Sequence, residues 1–469
     1  VCVLSPIFYK ETPVAFTACV FHHSDIGGRV ASDNREVFEE GLFIPPVKLY
    51  DAGVLNKAVL EMIRWNVRTP EEVTGDLRSQ VAANHVCAEK IVEMMADEGL
   101  STLDDLADEI IARTERSMRR AIQAIPNGTY PFEGVIEGSG NREDIKIKLT
   151  VGVEESDILV DFNGTAPQVG WGVNVVYNFT YAYVFMAIKS AFDPDLPINE
   201  GAIRPVKMTA PEGSVVNCSF PAAVAARMQV GHFMTEMVFR ALSAATPDRI
   251  IAGSGGTPAQ TNIFYGKRHN GKPWHTMIIR GGGLGAGKRQ DGHHCAIFPA
   301  NGANTPVEIL ESDTPLLVES RELLCDSGGA GTHRGGLGRR MQLRIPDDET
   351  APIPPVAIAV QAGRFQYPPE GFFGGRSGAK AGFSINGNKG DPGGLTFTSP
   401  GDVITFDSAG GGGFGNPLER DIAAVERDVK FEYVSIRQAE AVYGVIIDPV
   451  SGRTDREASR ALRAKKRNR

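Results

Sequence analysis

Apolar positions crowd the start of the chain and predict two strands, at about 1–9 and 13–22. The second, Val14-Ala-Phe-Thr-Ala-Cys-Val-Phe21, reads as apolar enough to be buried on both faces, and it runs straight into His22-His23-Ser24-Asp25-Ile26-Gly27-Gly28. From 54 to 125 the pattern shifts to helical spacing. Thr69-Pro70-Glu71-Glu72 reads as a start signal, with Thr69 as N-cap, Pro70 at the first helical position and Glu72 closing a capping box. Val73, Leu77 and Val81 then recur every four residues, and Gly99 supplies the stop. The next helix is expected to open at Ser101, to carry Leu103, Leu106, Ile110, Met118, Ala121 and Ile125 on one stripe, and to end at Pro126-Asn-Gly128.

From 130 the period becomes 2. Ile145, Ile147 and Leu149 alternate with Lys146 and Lys148, the mark of a half-exposed strand, and the run from Asp157 ends in an Asn163-Gly164 turn. Apolar helices are expected at about 171–191 and 230–245. Beyond 250 short strands alternate with glycine loops at 281–287, 327–338, 371–378 and 410–415. The run 345–355 reads as a surface linker, two short helices close the chain, and a charged tail from about 452 is expected to fray. The class is α+β and multi-layer: a helical segment over 54–125, then a region rich in strands and glycine loops. The expected units are a strand pair and glycine loop (1–53), the helical segment (54–128), an α+β core (129–345), a β-rich region with terminal helices (346–450) and the tail (451–469).

Composition narrows the function. The 469 residues carry 49 Lys+Arg against 57 Asp+Glu, a formal net charge of −8, with no basic stripe for a nucleic-acid backbone. No window reaches the ~18 uncharged apolar residues of a membrane span. The six cysteines are scattered without a CxxC pair, as expected of reduced cytoplasmic thiols. Gly is in excess at 53 residues, and its clustering points to ordered loops.

Several motifs invite chemistry. Gly282-Gly-Leu-Gly-Ala-Gly287-Lys288 fits the start of a phosphate loop, but Arg289 stands where a Ser or Thr should hold magnesium, and a tight glycine turn is the better reading. His22, His23 and Asp25 offer the nitrogen and oxygen donors of zinc, manganese or iron sites. Successive strand residues point to opposite faces, so His22 and His23 do not readily share one ion, whereas His23 and Asp25 can lie together. Asp291-Gly292-His293-His294-Cys295 is a second histidine cluster, with no specific ligand spacing. Arg334, Arg339 and Arg340 could hold an anion, but a solvated loop is the default. Arg227, just before an apolar helix, could bind a carboxylate or pair with a local acid.

The whole pattern resembles the hydantoinase B/oxoprolinase family. The resemblance is carried by His22-His-Ser-Asp-Ile-Gly-Gly28, Glu40-Gly-Leu-Phe-Ile-Pro-Pro-Val-Lys-Leu-Tyr50, Asn66-Val-Arg-Thr-Pro-Glu-Glu-Val-Thr-Gly-Asp-Leu-Arg78, Asp161-Phe-Asn-Gly-Thr165 and Asn304-Thr-Pro-Val-Glu-Ile-Leu310. Asp326-Ser-Gly-Gly-Ala-Gly331, Arg334-Gly-Gly-Leu-Gly338, Pro368-Pro-Glu-Gly-Phe-Phe-Gly-Gly375 and Gly410-Gly-Gly-Gly-Phe-Gly-Asn-Pro-Leu-Glu-Arg420 complete it, in family order and nearly end to end.

The resemblance implies the B-type subunit of an ATP-dependent cyclic-amide hydrolase, such as an N-methylhydantoinase, 5-oxoprolinase or caprolactamase. An A-type partner would bind ATP and magnesium and phosphorylate the substrate oxygen. The B-type chain would contribute a divalent metal site (zinc, manganese or iron), and the assembly would be a hetero-oligomer. It also implies His22 or, one residue off, His23 as a metal ligand; His22 and Asp25 are the expected catalytic groups, with His23 and Asp25 as alternative ligands or groups that orient the ligand, and Lys48 and Arg227 are candidates for the substrate's carboxylate or phosphate. The family's His-x-x-Asp ligand block would fall just before Val1, so an upstream segment is expected to be missing and the isolated chain inactive. Asp291-Gly-His-His294 stands where the family more often has Asp-Gly-Leu-Asp. Two rival expectations are a subunit of an ATP-dependent acetone or acetophenone carboxylase and a non-catalytic scaffold for the A-type subunit.

Overall fold

The computed structural model describes residues 1–138, 142–347, 350 and 352–467. Cys2–Tyr9 and Thr12–Val20 pair as an antiparallel hairpin. The hairpin packs on one side against the long helix Pro70–Asp97, where Asn84 donates to Val3 O (2.9 Å) and Gln80 to Cys19 O (2.9 Å). The second strand is therefore not buried on both faces. With a helix on one side only, Thr17 turns inward while Phe16 and Val20 are 67% and 74% exposed.

Lys57–Trp65, Pro70–Asp97 and Asp104–Gln123 fill the expected helical segment. Thr69 is the N-cap with Pro70 following, but the capping box does not form; the Thr69 hydroxyl meets Ser24 Oγ at 3.2 Å. The Asp104–Gln123 helix is only half a core element. Met118 and Ile122 are buried, whereas Leu106 and Ile110 are about half exposed, because only its C-terminal part reaches the sheet that follows.

That sheet holds Gly128–Ile136, Ile145–Glu154, Asp157–Asp161 and Val206–Thr209 in this order, the last pair parallel. Ile145, Ile147, Leu149, Val151 and Val153 all point inward, as the alternation predicts. They share one core with the helices Tyr177–Phe192 and Phe233–Leu242. A second core lies between a four-stranded sheet (Pro273–Arg280, Gln260–Lys267, Val356–Gln361, Leu395–Thr398) and a five-stranded one (Leu317–Leu323, Arg339–Arg344, Val403–Asp407, Gly382–Ile385, Asn388–Lys389). Phe264 meets Phe406 edge-on across it, with ring centroids 6.3 Å apart. Strands on either side of residue 345 share both sheets, since Arg339–Arg344 pairs with Val403–Asp407 and Gln260–Lys267 with Val356–Gln361.

The glycine runs are not surface loops. Gly283 N donates to Ala409 O (2.9 Å), Gly336 N to Leu284 O (2.8 Å), Gly411 N to Gly336 O (2.9 Å) and Gly329 N to Gly411 O (2.8 Å), knitting separate segments into a backbone lattice. A Cβ on Gly283 would overlap Gly336 O, and one on Gly336 would overlap His293 O. Only glycine permits this approach, which accounts for the clustered excess.

Three further expectations change. The arginine loop is not solvated: Arg334 and Arg339 are buried, Arg334 and Arg420 both reach Asp428, and Arg340 pairs with Asp407 (2.8 Å). Buried Arg334 shares Asp428 with Arg420, as a charge kept from water requires, whereas Arg339 Nε is without a hydrogen-bond partner among the described residues. The run at 345–355 is anchored by buried Ile345 and Ile353, because it joins strands of the second core; Asp348, Glu349 and Ala351 of that run lie outside the described residues. The tail folds as a helix, Arg456–Arg467, because it can dock: Ser459 is buried and Arg463 Nε donates to Tyr443 O (2.8 Å). Asn468 and Arg469 lie outside the described residues.

Candidate functional site

The segment 22–30 is held at a junction of three elements. His23 Nε2 meets Gln80 Oε1 at 2.9 Å. Asp25 is buried, and its two oxygens take Arg68 Nη1 (2.8 Å), the Arg68 backbone N–H and the Gly27 N–H (3.1 Å). His275, from the Pro273–Arg280 strand, donates to Ser24 O, and Tyr265 accepts from Val30 N (3.3 Å). Asp25 and the Nε2 side of His23 thus fix the loop, while His23 Nδ1 is buried without a hydrogen-bond partner among the described residues.

His22 is different. Its ring is exposed and makes no hydrogen bond among the described residues. Partial desolvation, then the positive charges of Arg227 and the chain's amino terminus, hold its pKa below the usual imidazole value, which favours a neutral ring with a free lone pair. The described residues contain no group of three or more His, Cys, Asp or Glu side chains able to hold a metal. The donors present fit one ligand position and not a complete set, since a catalytic ion asks for about three protein ligands.

Arg227 lies within electrostatic range of His22, at the start of the Met228–Gly231 turn of helix. Burial, the largest influence, lowers its pKa, and Glu40 and Tyr183 oppose that shift. No carboxylate lies within 4 Å of its guanidinium among the described residues; Nη1 reaches Val224 O at 3.4 Å and the group sits over the Phe179 ring at 5.1 Å. Glu40 is occupied, because one oxygen accepts from Val224 N (2.6 Å) and Ala225 N (2.7 Å) and so holds the loop that carries Arg227. Burial pushes the Glu40 carboxyl and the Cys218 thiol up.

Phe179 and Tyr183 are one turn apart on the Tyr177–Phe192 helix, their rings 4.9 Å apart. Tyr183 Oη meets His232 Nε2 at 3.0 Å, and His232 Nδ1 accepts from Ala259 N at 3.1 Å. His232 is fully buried, and burial followed by the charge of Arg227 lowers its pKa to about 3, so the ring is neutral. Gly231 leaves room for the Phe179 ring, which a side chain there would strike.

Lys48 is spent elsewhere: it is 74% exposed and pairs with Asp51 at 2.7 Å. In the second histidine cluster Asp291 binds Arg420 through both oxygens (2.6 and 2.7 Å), and His294 Nδ1 accepts from Leu337 N (2.9 Å). Tyr183 and His232 escaped the motif reading of the sequence, and Glu40 entered it only as the first residue of a family block. The signal available was a Tyr and a His set in apolar helices, where polar rings require partners.

A family model for hydantoinase B/oxoprolinase matches residues 1–417. The caprolactamase subunit beta of Pseudomonas jessenii is 30% identical over 99% of this chain and 82% of its own. The crystal structure of the ATP-dependent caprolactamase from that organism superimposes with a TM-score of 0.88 at 28% identity, over 99% of this chain and 82% of the other. Acetone carboxylase in its nucleotide-free structure shares the fold, with a TM-score of 0.83 at 20% identity over 100% and 70% of the two chains. Family model, sequence and fold agree along nearly the whole length, and the chain belongs to the hydantoinase B/oxoprolinase family.

Proposed function

We propose that this chain is the B-type subunit of an ATP-dependent cyclic-amide hydrolase of the hydantoinase/5-oxoprolinase type, acting with an A-type subunit that binds ATP. The observation that carries the reading is the agreement with caprolactamase in both sequence and fold over 99% of the chain. The fate of the phosphate-loop-like run supports the division of labour. Gly283 and Ala286 donate their N–H groups to Ala409 and Gly412, and Lys288 pairs with Asp248 at 2.5 Å, so the run's donors are turned to the protein itself.

The chemistry explains why two subunits are needed. An amide carbonyl is a weak electrophile and its oxygen a poor leaving group; phosphorylation of that oxygen removes the second obstacle. A divalent ion beside the site would polarise a carbonyl or acidify a water. His22 is this chain's proposed ligand for such an ion, with His23 and Asp25 setting the loop that presents it. Arg227, in preference to the paired Lys48, is proposed to receive the substrate's anionic group.

The test is ATP turnover by the chain reconstituted with its A-type partner, in the presence of hydantoin, 5-oxoproline, caprolactam, or acetone with bicarbonate. ATP-coupled ring opening of a cyclic amide is the expected result. Turnover with acetone and bicarbonate alone would make the chain a carboxylase subunit. Ring opening that is unchanged in His22→Ala and Arg227→Met would reduce it to a scaffold.

A further inference from the structure

The proton positions in the Tyr183–His232 pair follow from its neighbours. A backbone N–H can only donate, so the contact from Ala259 N makes His232 Nδ1 an acceptor and leaves the ring proton on Nε2. Nε2–H must then donate to Tyr183 Oη. The tyrosine oxygen accepts that bond, so its own hydrogen turns away from His232. No acceptor for it exists among the described residues, although Tyr183 is only partly buried. Beside it, across the Phe179 ring that both groups touch, sits a guanidinium with no carboxylate in reach. The Tyr183 hydroxyl and Arg227 are thus two donors set against one ring and within electrostatic range of each other, and the Glu40 carboxylate that acts on Arg227 makes its hydrogen bonds to Val224 N and Ala225 N instead of to either of them. The contact from Ala259 N, by holding the ring proton on Nε2, is what turns the Tyr183 hydrogen away from His232.

We infer that Tyr183 and Arg227 form an oxyanion receptor, with His232 as the positioning residue that orients the Tyr183 hydroxyl toward the bound anion. The ligand class is a tetrahedral phosphoryl or planar carboxylate oxyanion. The inference rests on the proposed function only for the source of that anion, a phosphorylated amide or an acid product. The geometry of the donors stands without it. Glu40 acquires a defined role beside the receptor. Its carboxylate holds the 224–225 backbone and contributes charge near Arg227, yet makes no hydrogen bond to the guanidinium, whose Nη1 reaches Val224 O.

Orthophosphate and acetate binding to the full chain, measured by isothermal titration calorimetry at pH 7.5, tests this. Tyr183→Phe deletes only the hydroxyl and is expected to weaken the preferred anion about 10-fold, the value of one hydrogen bond to a charged group. Arg227→Met is expected to abolish binding. His232→Gln can still donate from its amide to Tyr183 and should bind within about twofold of the parent, whereas His232→Leu should match Tyr183→Phe. Stronger phosphate than acetate binding identifies a phosphoryl site, and the reverse a carboxylate site. Should His232→Leu fail to fold, the contrast between Tyr183→Phe and His232→Gln decides. Binding of neither anion by the parent protein, or equal affinity in the parent and Tyr183→Phe, would overturn the inference. Intact anion binding without any ring-opening activity would count against the proposed function alone.

Discussion

Asp25 and Arg68 stand 43 residues apart in sequence and meet at 2.8 Å, the carboxylate 5% exposed and also receiving the Arg68 backbone N–H. The contact ties the loop after the second strand to the start of the long helix, and so sets where the His22 ring is presented. Asp25→Ala would leave two backbone donors and a guanidinium without their acceptor. It is expected to cost about 1–3 kcal/mol, read as a lowered urea midpoint. If Asp25 instead serves mainly as a metal ligand, the midpoint of the metal-free protein will not move.

His22 presents the opposite case. Its exposed ring makes no hydrogen bond among the described residues. His22→Ala is expected to change unfolding free energy by less than about 0.5 kcal/mol. The same variant, reconstituted with the A-type subunit, is expected to lose ring-opening turnover. Thermal melts beside the coupled assay separate the two effects, and a large drop in melting temperature would show the ring to be structural.

Acid should destabilise the fold through His232. Its pKa lies near 3 in the folded chain, against 6.5 for the free group. Above pH 6.5 both folded and unfolded states are neutral there and the group is silent. Between pH 6.5 and about 3 the unfolded chain takes up a proton that the folded one refuses, so stability falls as pH drops, by up to about 1.4 kcal/mol per pH unit from this residue. His232→Gln should flatten that part of a denaturation profile; an unchanged slope would place the acid sensitivity elsewhere.

The glycine lattice tolerates no side chain. A Cβ at Gly411 would overlap Leu284 O, and one at Gly283 would overlap Gly336 O; both neighbours are backbone and cannot swing aside. Gly411→Ala and Gly283→Ala are each expected to lower stability by more than about 4 kcal/mol or to prevent soluble expression. Gly271→Ala is the control in open space: its positive φ of 79° costs only about 1 kcal/mol. Soluble yield and melting temperature of the three variants check this.

Arg420 bridges Asp291 and Asp428, at 2.6 and 2.8 Å, inside the C-terminal part of the molecule. Arg420→Met removes the cation and leaves both acids short of a partner, Asp428 retaining Arg334 at 3.3 Å. Breaking a buried ionic network in this way is expected to cost about 3–5 kcal/mol, measured by chemical denaturation. A loss below about 1 kcal/mol would mean that water already serves these carboxylates.

Local elements and kinship were legible in the linear chain. Period-2 alternation in Ile145–Glu154 and the Thr69-Pro70 start signal depend on nearest neighbours, and both appear where the pattern puts them. The order of the family blocks, likewise a linear property, marked the relationship now carried by residues 1–417. What each polar group is for emerged only on folding. His22, His23 and Asp25 are equivalent donors on paper, but Arg68 and Gln80, more than 40 residues away, claim Asp25 and one ring nitrogen of His23, leaving His22 and His23 Nδ1 without a hydrogen bond among the described residues. Glycine runs that read as loops became a buried lattice, because separate segments can approach to hydrogen-bonding distance only where no Cβ intervenes. Tyr183 and His232 acquired their orientation from Ala259, a partner whose proximity no local pattern encodes.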